Sequence, residues 1–232
     1  MLNSQLPLPI DQIDDETLDN FYTANNLLLL NSLHKNFETL LQPFFYVWGD
    51  KSSGKTHLLK GCSNYFLIND RTSIYVPLSK SEYFSPEVLE NLELQELVCL
   101  DDLQAVIGNL EWEIAIFDLI NRIREVKKCL LLISADRSPI ALPAKLPDLA
   151  SRLAWGESYR LNPLDDLQKI EVLQHNAHLR GIELPDETAN FLLKRVDRDM
   201  QSLYLLLTKL DKASLQAQRK LTIPFVKEIL ML

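Results

Sequence analysis

Phe44-Phe45-Tyr46-Val47-Trp48-Gly49-Asp50-Lys51-Ser52-Ser53-Gly54-Lys55-Thr56 is an apolar, aromatic run that stops at a glycine and passes into Gly-x-x-x-x-Gly-Lys-Thr. Large apolar and aromatic side chains bounded by Gly49 predict a buried strand. The eight residues from Gly49 match the phosphate-loop signature at every fixed position. The residue types follow from the chemistry. Glycines let the backbone fold tightly, so that successive N–H groups point inward at phosphate. Lys55 reaches the β- and γ-phosphates, and the Thr56 hydroxyl holds Mg²⁺. A helix predicted over His57–Phe66 adds the positive end of its dipole. The chain has only six glycines, and two of them stand where the loop requires them.

On either side of the loop, strand and helix alternate. Before it, the spacing Leu27, Leu30, Leu33, Phe37, Leu40, Leu41 predicts a helix over about 26–41 with one buried face. After it come strand-like runs at Ser73–Pro77, Glu96–Leu100 and Cys129–Ser134, and a weaker one at Glu157–Leu161. Helical patterns separate them, most clearly Trp112–Val126, where Trp112, Ile116, Leu119, Ile120 and Ile123 share one side. Steady alternation predicts an α/β core with a parallel sheet flanked by helices. After Pro163 the pattern turns wholly helical, at Asp165–Arg180, Pro185–Val196, Asp199–Ala217 and Thr222–Leu230, with Gly181 as a stop and Pro185 at a helix entry. The expected domains are a tail over 1–16, a nucleotide-binding α/β domain over 17–162 and a small all-helical lobe over 163–232.

Two further strand ends carry polar groups. Leu97-Val98-Cys99-Leu100 runs into Asp101-Asp102. In phosphate-loop proteins such a first acid faces the loop and holds Mg²⁺ through water, and Asp101 takes that place. Asp102 stands where a Glu base often orients the attacking water. One methylene shorter, it predicts slow intrinsic hydrolysis. Leu130-Leu131-Leu132-Ile133 ends in Ser134-Ala135-Asp136-Arg137, so that Ser134 or Asp136 is placed to touch the γ-phosphate or its water.

The 232 residues (26.7 kDa) are 47% hydrophobic and 24% charged, a globular balance that excludes wholesale disorder. A net charge of -8 argues against strong direct binding to bare DNA, which needs clustered Lys and Arg. Cys62, Cys99 and Cys129 sit in apolar runs and read as reduced core residues of a cytoplasmic protein. Neither an export signal nor a membrane-length apolar run is present. His34, His57, His175 and His178 form no metal set, and His175 and His178 read as surface residues. No nucleophile–histidine–carboxylate arrangement emerges.

Loop, acidic strand end, polar strand end and helical lobe stand in the order found in AAA+ ATPases. Ser134-Ala135-Asp136-Arg137, followed by Leu149-Ala150-Ser151-Arg152-Leu153-Ala154-Trp155-Gly156, resembles the bacterial initiator DnaA. The C-terminal run Ala217–Leu230 is similar to the shorter, regulatory members of that family. The resemblance covers essentially the whole chain. It implies a nucleotide site of Gly49, Asp50, Lys51, Ser52, Ser53, Gly54, Lys55, Thr56, His57, Asp101, Asp102, Ser134 and Gln201, with Thr56 and Asp101 on Mg²⁺ and ADP or ATP as the nucleotide. It implies that Arg152 is an arginine finger, acting in trans on a neighbour's nucleotide. It also implies that Gln5-Leu6-Pro7-Leu8-Pro9-Ile10 binds the sliding clamp of the replicative polymerase, as loaded on DNA. An extended, proline-stiffened peptide suits that role, because it loses little entropy on docking. Three departures stand out. Gln201 replaces the sensing arginine of relatives, with Arg198 nearby; the phosphate loop is complete; and only about eighteen residues separate Leu78 from Leu97, little room for the initiator's helical insertion.

The reading that unites these features is a negative regulator of replication initiation. It holds ADP, docks on the clamp and stimulates hydrolysis of DnaA-bound ATP, with weak ATPase activity of its own and possible self-association. A second reading is an autonomous AAA+ ATPase acting as a helicase loader or remodeller. A third is a clamp-tethered adaptor whose nucleotide is purely structural.

Overall fold

The computed structural model describes residues 16–23, 26–196 and 199–231. The chain divides into two compact units, the first ending at Leu161 and the second comprising Asn162 onward together with the loop residues Lys51–Ser53.

The first unit is built on five strands: β1 (Phe44–Trp48), β2 (Ser73–Pro77), β3 (Leu97–Asp101), β4 (Leu130–Ala135) and β5 (Glu157–Arg160). All pairings are parallel, in the order β2-β3-β4-β1-β5. The helices are α1 (Leu27–Thr39), α2 (Lys55–Ile68), α3 (Leu110–Val126) and the short α4 (Pro147–Leu153). Strands covered on both faces should be continuously apolar rather than alternating, and β1, β3 and β4 are, up to Asp101 at the end of β3 and Ser134 near the end of β4. Phe45, Val47, Leu97, Cys99, Leu130 and Leu132 pack on the face of α1 and α2. Phe44, Tyr46, Val98, Leu100, Leu131 and Ile133 pack on the face of α3 and α4. The edge strand β5 alternates half-buried and exposed residues instead, which is why its sequence signal is weak.

The predicted face of α1 needs a correction. Leu30, Leu33 and Phe37 are buried, but Leu27 and Leu41 are largely exposed and Leu29 takes their place. The helix ends at Thr39, and Leu40 adopts a left-handed conformation (φ 46°), so the residues beyond it leave the helical register. Helix α2 begins two residues earlier than its periodicity suggests, because the loop feeds straight into Lys55. The α4 helix that carries Arg152 gave no periodic signal; it is only seven residues long. Between β2 and β3 the chain forms short 3-10 turns.

The second unit holds α5 (Asp166–Leu179), α6 (Asp186–Arg195), α7 (Met200–Ala217) and α8 (Ile223–Leu230) around a core that includes Leu173, Leu192, Leu207, Leu210, Phe225 and Val226. Two of its helices, α5 and α7, start where side chains satisfy their open N–H groups. Asp165 and Gln168 form a reciprocal capping box on α5, and Asp199 accepts Ser202 N–H on α7. Gly181 follows α5 with φ +74°. Among the described residues no helix is long and apolar enough to cross a membrane.

Candidate nucleotide-binding site

The order of the strands fixes where a site falls. From β1 the chain crosses to β2 on one side, and from β4 it crosses to β5 on the other. The carboxyl ends of the adjacent strands β1 and β4 therefore flank a topological switch point, the usual ligand crevice of open α/β sheets. Gly49 follows β1 there, Ser134 stands one residue before the end of β4 opposite Val47, and Asp101 ends β3 on the neighbouring strand.

The loop takes its tight course through left-handed backbone at Ser52 (φ 62°) and Gly54 (φ 96°). A Cβ at Gly54 would also sit 3.3 Å from the Phe21 ring. Helix α2 then starts at Lys55 with no side chain capping its first turn. Lys55 is buried, and its ammonium donates to Gly49 O and Asp50 O, each at 2.8 Å. Burial lowers its pKa, while Asp102, Asp101, Asp136 and Asp50 pull the other way. The Ser53 hydroxyl is buried with no partner among the described residues. An uncapped helix start, a buried cation and an orphan hydroxyl together suit an oxyanion.

Asp101 is almost wholly buried. Its Oδ2 accepts the Thr56 hydroxyl and the Tyr75 hydroxyl, both at 2.7 Å, and its Oδ1 accepts the Ser134 hydroxyl. Burial, followed by the charge of Asp101, raises the Tyr75 pKa well above the phenol range. Ser134 Oγ in turn accepts the Asp102 N–H at 2.9 Å. Asp102 stands in a left-handed conformation (φ 62°), which Asp tolerates better than most residues. Gln104 donates to Asp102 Oδ1 at 2.9 Å and accepts Asp136 N–H at 3.1 Å. The hydroxyl and carboxylate oxygens of Thr56 and Asp101 are hard donors of the kind Mg²⁺ prefers.

The structure therefore brings together Lys55, Thr56, Asp101, Asp102 and Ser134. Asp136 is occupied in a two-bond ion pair with Arg137, at 2.7 and 2.8 Å. His57, in the first turn of α2, hydrogen-bonds Thr17 O at 2.9 Å and meets the Phe21 ring edge-on. Gln201 lies in α7 of the second unit. Arg198 and the peptide Gln5–Ile10 lie outside the described residues. Arg152 does not pair with Asp148; its guanidinium lies over the Trp155 ring at 3.7 Å and 5.2 Å from the Phe117 ring.

Sequence reasoning missed Tyr75, Gln104 and Glu113. Glu113 is fully buried, and its carboxylate accepts the N–H groups of Gly108, Lys145 and Leu146 at 2.7, 3.1 and 2.6 Å. A signal existed for it: 113, 116, 120 and 123 fall on one helical face, so an acid stood among apolar positions.

A parallel sheet in this order, a phosphate loop at its switch point and an appended helical unit define an AAA+ core. The chain matches the bacterial DnaA ATPase domain over residues 17–160 and the lid domain of Hda over residues 166–230. It belongs to the DnaA-related family of AAA+ proteins. An uncharacterized protein of Haemophilus influenzae is 71% identical over 231 residues, covering 100% of both chains. Among solved structures, domain III of Thermotoga maritima DnaA is similar at a TM-score of 0.76 and 22% identity, over 94% of this chain and 96% of that one. AMPPCP-bound DnaA of Aquifex aeolicus is similar at 0.70 and 23% identity, over 87% of this chain and 66% of that one. The branch-migration motor RuvB of Thermotoga maritima shares the fold at 0.67 and 15% identity, over 93% and 71%.

Proposed function

We propose that this protein is a nucleotide-binding regulator that switches off the initiator DnaA by completing the catalytic site around DnaA-bound ATP. The observation that carries the reading is the coexistence of a complete phosphate-loop cluster with a guanidinium, Arg152, that no carboxylate neutralises among the described residues. The match of the second unit to the lid of Hda supports it.

In this reading the backbone of 49–56, Lys55 and the Ser53 hydroxyl grip the phosphates of ADP or ATP. Thr56 and Asp101 would hold Mg²⁺, which supplies charge neutralisation on the phosphates. Ser134 keeps Asp101 oriented, and Gln104 keeps Asp102 oriented. Gln5–Ile10 docks on the sliding clamp and brings the regulator to DNA-loaded clamps. Arg152 then meets the triphosphate held by DnaA. Its guanidinium is permanently charged and planar, and it neutralises charge growing on the transferred phosphoryl group. A finger supplied in trans raises the rate by roughly 10³–10⁵.

The test is hydrolysis of DnaA-held ATP with and without clamp loaded on DNA. Stimulation that requires the clamp, residues 1–10 and Arg152 supports the reading. Undiminished stimulation by the Arg152→Ala variant overturns it. The complete set of Lys55, Thr56, Asp101 and Asp102 favours one rival, an autonomous ATPase acting as a helicase loader or remodeller. Steady phosphate release by the protein alone would select that rival.

A further inference from the structure

Asp101 is unusually crowded for an acid expected to face a hydrated cation. A carboxylate offers about four lone-pair sites. Three are taken by hydroxyls: Thr56 and Tyr75 on Oδ2, Ser134 on Oδ1. Thr56 and Ser134 belong to the expected set, at the start of α2 and the end of β4. Tyr75 does not. It stands in the middle of β2, paired in register with Cys99, two residues before Asp101 on the neighbouring strand. Its ring is packed partly into the core face of α2, and Lys60 lies 5.9 Å above it, itself paired with Glu16 at 2.5 Å. The phenol is thus wedged in one orientation, with its O–H directed at Oδ2.

We propose that Tyr75 sets how strongly nucleotide retention depends on Mg²⁺. Resting on the nucleotide site proposed above, the inference deepens it. Oδ2 is the oxygen that meets Thr56, and it already accepts two hydroxyls. A water of the metal's hydration shell that hydrogen-bonds Asp101 must compete with the Tyr75 hydroxyl for that oxygen. Bonds from O–H to carboxylate are charge-assisted and stronger than neutral ones, so the competition is substantial. Magnesium sheds and rearranges its waters reluctantly, so loss of one outer partner falls directly on its affinity. The consequence is a site that keeps its nucleotide through the loop backbone, Lys55 and Ser53, and only weakly through the cation.

The experiment is a titration of a fluorescent ADP analogue on the full-length protein, in EDTA and across rising Mg²⁺. Tyr75→Phe removes one oxygen and leaves the ring. The wild type should bind the analogue in EDTA and tighten further only at high Mg²⁺, which sets its midpoint. The variant should reach its half-maximal response at about five- to tenfold lower Mg²⁺, with binding in EDTA unchanged. An unchanged or higher Mg²⁺ midpoint in a variant that melts like wild type overturns the role of Tyr75 and leaves the nucleotide site standing. No binding of the analogue to wild type under either condition overturns both. Should Tyr75→Phe fail to fold, 3-fluorotyrosine at position 75, a stronger donor of the same shape, must raise the Mg²⁺ midpoint; a midpoint left in place overturns the inference.

Discussion

The Arg152 guanidinium is stacked on the Trp155 indole at 3.7 Å, with Arg124 at 4.2 Å from the same ring. Arg152 sits near the end of α4 and Trp155 lies two residues beyond it. An aromatic face of this kind holds a cation in place without neutralising it, as a carboxylate would.

Arg152→Ala should therefore abolish stimulated hydrolysis of DnaA-bound ATP, a loss of roughly 10³-fold or more. Clamp binding should be untouched. The stack is half-exposed, so its loss should cost only about 1 kcal/mol of stability, read as a shift of a few degrees in the melt. Arg152→Lys should fail as well, because an ammonium lacks the planar fork. Phosphate release from DnaA–ATP, run beside the melts, checks all three statements.

Glu113 governs the approach to the same helix from within. Its carboxylate holds the N–H groups of Lys145 and Leu146, and Leu146 is the residue at the entry of α4. Glu113→Ala leaves three backbone donors without their acceptor, at a cost of about 3–5 kcal/mol. Glu113→Gln keeps one acceptor oxygen and should lose less. Urea unfolding of the two variants should rank them in that order. A loss below about 1 kcal/mol for Glu113→Ala would contradict the assignment.

Much of this architecture is legible in the residues. Strand β1 falls where its apolar run predicts, because a strand covered on both faces writes a continuous apolar signal, and α3 buries the five residues its spacing selects, because a helix packed on one face writes a periodic one. The loop and the two polar strand ends were readable for a related reason: chemistry there needs fixed residue types at fixed positions. The supporting contacts were not. Tyr75 reads as ordinary strand filler, and Gln104 lies in a turn with no pattern. Their roles come from pairing β2 with β3 and from the left-handed turn at Asp102, which are tertiary facts. Helix α4 was missed because seven residues are too few to show a period.

The three cysteines give a direct test of the core. Cys62, Cys99 and Cys129 are free and buried. Burial pushes the Cys129 thiol up to about 12 and raises Cys62 and Cys99 as well. Since the thiolate is the reactive form, a disulfide reagent at pH 8 should modify none of them in the folded protein. All three should react at once in guanidinium. Stoichiometric labelling of the native protein within minutes would contradict the packing of β3 and β4.

Arg71 and Glu96 join the end of α2 to the start of β3, and their pairing sets an acid-dependent part of the stability. Arg71 Nε donates to Glu96 Oε1 at 2.8 Å, while its Nη1 donates to Phe37 O at 2.6 Å and its guanidinium lies 4.0 Å from the Phe66 ring. Glu96 Oε2 also accepts the Thr72 N–H at 2.9 Å. The bond from Arg71, and then that from Thr72, lower the Glu96 pKa below its ordinary 4.5. A carboxylate with a depressed folded pKa contributes stability that is fully present above its unfolded value, and that contribution is lost as pH falls through the folded value. Glu96→Gln should consequently melt lower than wild type at pH 7. The gap should narrow below pH 4.5 as the wild-type carboxylate takes up its proton. The Glu96 side chain is 41% exposed, so solvent screens the pair and the gap at pH 7 should be a few degrees at most. Paired melts at pH 7 and at pH 3.5 decide it: a gap that stays constant between them would show that Glu96 contributes through shape and not through charge.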